Sequence, residues 1–435
     1  MTSGHAQLRT AKLPAAMPGR YPTRRAVLSG AVLSGAVSGL ALLPAGRAFA
    51  ARRHHPAPGP AAPAAGGAEA PAGSYSPANS LIGPVDTPAR WACIIDYTTG
   101  AVLLEKAADE RMPPSSLTKM MTAYVVFGML RAGRLKLDQT LTVSEKAWRM
   151  QGSKMFVPLQ GAVAVSDLIQ GMVIQSGNDA CIVLAEGVAG SEDQFVSLMN
   201  AQAVQLGMTN THFMNATGWP ADGHYMSARD VTTIAMHLIH DFPEYYHFFA
   251  EKGFRYNRIS QENRNALVVK GIADGLKTGH TDAGGFGLCA SSERNGNRIV
   301  MAINGLPSSN ARAFEGERLL EWGFVNFENA TLVHNGAVID SAPVWLGKAA
   351  TVPLVATRDV LLTLPHGWQN RARIALDYKS PVPAPIKAGQ VLGQLVISNT
   401  GLADIMVPLV AGNDVGQLGL FGRASAVLGQ KLGRH

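Results

Sequence analysis

The sequence predicts an α+β fold in which an antiparallel sheet is flanked by helices, followed by a small all-β sandwich. Two observations predict the first part: apolar β-type runs lie early and late in it, and helix-period segments lie between them. A third predicts the second part: after about Asn326 the chain changes to short β-type runs at close spacing, with Pro and Gly between them.

In chain order, the first 50 of the 435 residues read as an export signal. Thr23-Arg24-Arg25 precedes an apolar run from Ala26 to Leu43, and Ala48-Phe49-Ala50 has the small-residue form of a cleavage site. Ser29, Gly30, Ser34, Gly35, Ser38 and Gly39 interrupt the run and weigh against a stable membrane span. The paired arginines match a twin-arginine signal in part. The expected location is therefore exported, in the periplasm or cell envelope. The same segment explains the charge. Of the +7 carried by the chain, Arg9, Lys12, Arg20, Arg24, Arg25 and Arg47 contribute six with no opposing acid, leaving +1 for everything after them. A nucleic-acid footprint, which needs a basic face on the folded part, has no support. Residues 51–85 are dominated by Ala, Pro and Gly, as in HHPAPGPAAPAAGGAEAPAG, and such a stretch cannot bury enough apolar surface to offset its ordering entropy. It is expected to be a tether.

The first domain is expected over 86–325. RWACIID and GAVLLEK flank Tyr97-Thr98-Thr99-Gly100, the pattern of a hairpin. Helical periodicity runs from Ser116 to Leu130, Ser166 to Met172, Ala180 to Val188 and Asp193 to Leu206. FGLCASS and RIVMAING are separated by Glu293-Arg294-Asn295-Gly296-Asn297, and Asn-Gly between apolar runs predicts a second hairpin. A helix from Ala311 to Phe324 closes the domain. Over 326–413, VWLG, TVPLVA, DVLLTL, RIALDY, QVLGQLVIS and DIMVPLVA predict the strands of the sandwich. In the tail, 414–435, Leu418, Phe421, Ser425, Leu428 and Leu432 recur at spacings of three and four, with Arg423, Lys431 and Arg434 off that line. This predicts a basic amphipathic helix suited to an anionic membrane interface. Its glycines, at 416, 419, 422, 429 and 433, each lower helix propensity by about 1 kcal/mol relative to Ala, so the helix is expected to need the membrane. Cys93, Cys181 and Cys289 are an odd, scattered set among apolar neighbours, expected to be buried hydrophobes and not a disulfide framework.

Three short patterns could carry chemistry. PPSSLTKMM puts Ser116 and Lys119 three apart at a predicted helix start, so both fall on one face a turn apart. A lysine near the positive end of the helix dipole, partly buried, has a depressed pKa and can deprotonate a serine. Read alone, the same residues are a cap, Ser115 or Ser116, and a solvated lysine. Ser176-Gly177-Asn178 stands before another apolar helical run: either a helix start capped by Asn178 or Asp179, or a second hydroxyl to relay a proton, held by an amide. Lys277-Thr278-Gly279 reads either as a glycine-broken turn or as a strand edge where Lys277 and Thr278 bind a carboxylate and Gly279 lets a substrate backbone pair alongside. Each is weak alone. The three in this order across one domain form the penicilloyl-serine signature set.

On these motifs, and on PSSLTKMMTAYV, QSGNDAC, HYMSARD, QENRNAL, DGLKTGHTDAGG and RLLEWGF, the chain from about residue 86 to 435 resembles the low-molecular-mass penicillin-binding proteins, the serine-type D-alanyl-D-alanine carboxypeptidases of the β-lactamase/transpeptidase-like clan. The resemblance implies that Ser116 attacks the carbonyl between the two terminal D-alanines of a peptidoglycan stem pentapeptide. It implies Lys119 as general base, Ser176 as proton relay and Asn178 as orienting amide. Lys277 and Thr278, with Arg264, would hold the terminal carboxylate, and the N–H groups of Ser116 and His280 would form the oxyanion hole. β-Lactam antibiotics would acylate Ser116. The tail would rest on the outer face of the cytoplasmic membrane, and no metal or cofactor is required.

Rival readings are weaker. A class A β-lactamase would need a deacylating glutamate after Ser-x-Asn, and from Gln194 to Arg229 the only acid is Asp222. A zinc carboxypeptidase could be drawn from His237, His240 and His247, but HLIHDFPEYYHFF has no matched acidic ligand set. A peptidoglycan-binding scaffold would be free to lose Ser116, Lys119, Ser176 and Lys277. Cleavage of cross-linked stems, an endopeptidase activity, stays open beside the carboxypeptidase one.

Overall fold

The computed structural model describes residues 9–10, 77–398 and 403–431. Apart from Arg9–Thr10, the expected export signal lies outside the described residues, as does most of the expected tether.

The predicted sheet forms, and it begins earlier than 86. Six antiparallel strands lie in the spatial order Asn79–Ser80 (β1), Val102–Lys106 (β3), Trp91–Asp96 (β2), Asn297–Leu306 (β6), Gly285–Arg294 (β5) and Gly275–Thr281 (β4). β1 therefore belongs to the fold although it falls in the stretch read as tether. Every residue of β2 is buried because both faces of the sheet are covered. Cys93, Ile95, Cys289, Val300 and Ala302 point into one core, whereas Ala92, Ile94, Ala290, Met301 and Ile303 point into another, the alternation a strand requires. The first core holds the helices Lys119–Arg131 (α1), Val165–Val173 (α2), Asn178–Ala189 (α3), Glu192–Gln205 (α4) and Ala228–Asp241 (α5). The second is closed by Leu319 and Leu320 of Ser309–Asn326 (α6). The three cysteines are free and buried.

The late hairpin is tighter than the sequence suggested. Arg294 pairs with Asn297, so the loop is only Asn295-Gly296, both at positive φ (52° and 80°), as a type I′ turn demands. This long hairpin leaves β4 as the edge strand, paired only to β5.

The second domain starts where α6 ends. Phe327–Val333 and Val360–Pro365 form a two-stranded sheet that faces a larger one built mainly from Val338–Trp345, Thr351–Ala356, Arg373–Tyr378, Val391–Ser398 and Ile405–Ala411. Leu332 and Leu364 from the first and Val352, Leu395 and Leu409 from the second share one core, so the predicted sandwich is present. A helix follows at Leu420–Lys431 with Leu420, Phe421 and Leu428 exposed. Among the described residues no helix is long and apolar enough to cross a membrane.

Candidate active site

The nucleophile turn departs from the predicted helix start. Ser115–Thr118 form a 3-10 turn, and the α-helix begins at Lys119. Ser115 does not cap it: the residue sits at φ 52°, and its hydroxyl bonds Thr281 Oγ1 of β4 at 2.9 Å. Neither Asn178 nor Asp179 caps α3. The N-cap is Gly177, and both side chains are engaged elsewhere.

Lys119 is fully buried. Its Nζ lies 2.9 Å from Ser116 Oγ, 2.8 Å from Asn178 Oδ1 and 2.5 Å from Thr217 O. Burial pushes its pKa down to about 8, with Arg264 adding to the effect. A neutral amine has two hydrogens and one lone pair. The carbonyl oxygens of Asn178 and Thr217 can only accept, so they take the two hydrogens and the lone pair is left for the Ser116 hydroxyl. The arrangement makes a base of Lys119 and a nucleophile of Ser116.

Asn178 is fixed from behind: its Nδ2 donates to Gln151 O at 2.7 Å and its backbone N to Ser153 O at 2.7 Å. Asp179 holds the same loop, accepting from the backbone N–H of Met155, Phe156 and Val157 at 2.9, 2.8 and 3.2 Å. Ser176 stands at φ 69°, and its buried hydroxyl has no partner among the described residues. A hydroxyl so placed is free to take and pass on a proton.

Ser116, Ser176, Arg264, Thr278, Gly279 and His280 line one cleft of about 360 Å³. Ser153, Phe286 and Arg312 also line it. Lys277 does not: it is buried behind the wall, its Nζ donating to Thr278 O at 3.1 Å, and burial with Lys119 and Arg264 nearby holds its pKa well below the usual lysine value. Of the residues expected to hold a carboxylate, Thr278 and Arg264 line the cleft, together with Arg312, while Lys277 is buried. Arg312 was not singled out by the sequence. Its pKa is lowered to about 10 by burial and by Arg264, and neither arginine makes an ion pair among the described residues. Two cations facing a cleft without a counter-charge are suited to an anionic ligand.

Two glycines admit close packing around the nucleophile turn. A Cβ on Gly279 would stand 3.1 Å from Pro114 O and 3.2 Å from Ser116 N, so Gly279 lets the edge strand close on the nucleophile turn. Gly218 is stricter: at φ 83°, its Cβ would lie 1.8 Å from Ser115 O. His280 is exposed and stacks on Phe286 with ring centroids 3.9 Å apart. Away from the cleft, His237 and His240 both bond Asp241, at 3.0 and 2.7 Å.

A serine whose hydroxyl meets a buried lysine amine, inside a helix-covered antiparallel sheet, defines an active-serine acyl-transfer enzyme. Comparison with known proteins narrows the class. Residues 78–307 match the family model described as D-alanyl-D-alanine carboxypeptidase, and 327–417 match the penicillin-binding protein 5 C-terminal domain. The chain is 39% identical over 348 residues to D-alanyl-D-alanine carboxypeptidase DacA of Haemophilus influenzae, covering 78% of this chain and 88% of that one. It is 40% identical over 344 residues to DacC of Escherichia coli, covering 77% and 86%. The crystal structure of penicillin-binding protein 5 from Haemophilus influenzae is similar with a TM-score of 0.63 and 38% identity, covering 76% of this chain and 98% of that one. The chain belongs to the D-alanyl-D-alanine carboxypeptidase family.

Proposed function

We propose that this chain removes the terminal D-alanine from peptidoglycan stem pentapeptides through an acyl-enzyme on Ser116. The observation that carries the reading is the Lys119 amine, buried, depressed in pKa and held so that its lone pair meets Ser116 Oγ. With a pKa of about 8, about a tenth of the amine is neutral at pH 7.

Lys119 takes the proton of Ser116 as Oγ bonds to the carbonyl carbon of the penultimate D-alanine. The oxyanion is met by the N–H groups of Ser116 and His280. Ser176 passes the proton to the leaving nitrogen, the C–N bond breaks, and D-alanine departs with its carboxylate released from Thr278, Arg264 and Arg312. Water, deprotonated by Lys119, then splits the ester to a tetrapeptide and restores Ser116. A penicillin acylates Ser116 by the same first step, its ring amide opening. Export to the periplasm or cell envelope is supported by the Thr23-Arg24-Arg25 segment and its cleavage-type site. Peripheral attachment to the outer face of the cytoplasmic membrane is supported by the exposed Leu420, Phe421 and Leu428 of a basic tail.

The test is release of free D-alanine from a pentapeptide ending in D-Ala-D-Ala. Release by the parent and none by Ser116→Ala is expected; penicillin labelling without D-alanine release would overturn the carboxypeptidase reading in favour of a binding role.

A further inference from the structure

We propose that His224 is a positioning residue: a neutral imidazole that registers the loop carrying the Thr217 carbonyl against the nucleophile turn, and so sets the aim of the Lys119 amine. The inference rests on the roles given to Ser116 and Lys119 above.

His224 opens the HYMSARD segment but belongs to none of the three patterns that carry chemistry, and it does not line the cleft, yet it is buried between two of the site's parts. Its Nδ1 lies 3.2 Å from the backbone N of Met214. A backbone N–H can only donate, so Nδ1 carries no proton and accepts. The proton of the neutral ring is then on Nε2, which donates to Thr118 Oγ1 at 2.8 Å. Thr118 is fully buried in the turn that holds Ser116 and immediately precedes Lys119. One ring therefore joins the nucleophile turn to the start of the segment 214–219.

That segment is stiff. Asn215 Oδ1 accepts from the backbone N–H of Thr217, Gly218 and Trp219 at 3.1, 2.8 and 3.1 Å, so a shift at Met214 is carried to the Thr217 carbonyl. The middle of the segment meets α1 through Thr122 Oγ1, which donates to Ala216 O at 2.7 Å, and through Lys119 itself. With Gly218 packed on Ser115, there is no slack for the turn to take up. Phe213 meets the imidazole edge-on, with centroids 5.8 Å apart, and holds its plane. Burial first, then His212 and Lys119, push the His224 pKa down to about 4, so the ring keeps this neutral form wherever Lys119 can act as a base. His224 touches no reacting atom and acts through Thr118 and the Thr217 carbonyl.

The experiment measures acylation of the full chain by a fluorescent penicillin, with kcat and KM for D-alanine release and the pH profile of kcat/KM. His224→Phe keeps a ring and removes both hydrogen bonds; His224→Gln retains one acceptor and one donor on its amide. The Phe variant is expected to acylate about tenfold to a hundredfold more slowly, with the loss in kcat and KM within about twofold. Its acid limb should move to higher pH as water reaches the loosened amine, and Gln should restore most of the rate. Should the Phe variant not fold, Thr118→Val removes the same bond from the other side and is expected to slow acylation in the same way. A folded Phe or Val variant acylating at the parental rate, or a Gln variant as slow as Phe, overturns the proposal. A parent chain that never acylates would count instead against the Ser116 reading beneath it.

Discussion

Gly218→Ala probes how closely the site is assembled. At φ 83° an added Cβ costs about 1–2 kcal/mol from backbone conformation alone. It also stands 1.8 Å from Ser115 O, where an ordinary carbon–oxygen contact needs roughly 3.3 Å. The loop must retreat by about 1.5 Å, which takes the Thr217 carbonyl from 2.5 Å to about 4 Å from Lys119 Nζ and ends that hydrogen bond. A displacement of this size at a catalytic base costs on the order of a hundredfold in rate. The assay is the second-order rate of acylation by a fluorescent penicillin, with a melting curve alongside. A drop of about a hundredfold in rate is expected, together with a Tm lower by about 2–4 °C for each kcal/mol lost. A variant with parental Tm that acylates within about twofold of the parent refutes the close contact between loop and turn.

Three further outcomes are expected. Because Lys119 must be neutral to act and its pKa is lowered to about 8, kcat/KM should rise about tenfold per pH unit up to that value and then level; a flat profile between about pH 6 and 9 contradicts a lysine base. Arg312→Ala should raise KM about tenfold or more for a peptide with a free terminal carboxylate, and change little for the same peptide as its terminal amide, because only the former gives the guanidinium a charged acceptor. Deleting 414–435 should abolish co-sedimentation with vesicles of anionic lipid; equal binding of intact and truncated chains would remove the tail from membrane attachment.

Much of this was legible in the sequence where side chains obey a period. WACIID, FGLCASS and RIVMAING are strands because their apolar residues fill two cores, and Asn295-Gly296 announces its own turn. Ser116, Lys119, Ser176 and Asn178 were visible because each hydroxyl lies two or three residues from its amide or amine, in the turn that leads into a helix. The groups left unread work through the backbone or through space. The Thr217 carbonyl has no side-chain signature, and its only trace is Gly218 in NATGWP. Arg312 reaches the cleft from the start of α6, separated in sequence from Lys277 by an entire hairpin. The burial of Lys277 depends on how the edge strand packs, which Lys-Thr-Gly alone does not carry. The tether was drawn too long because β1, two residues paired at a sheet edge, is too short to show a period.

The most direct test of the central claim is mass spectrometry of the chain trapped with penicillin. A single adduct of the antibiotic's mass on the peptide containing Ser116, absent in Ser116→Ala, is the expected result. An adduct on any other residue, or one that survives the substitution, would contradict Ser116 as the nucleophile.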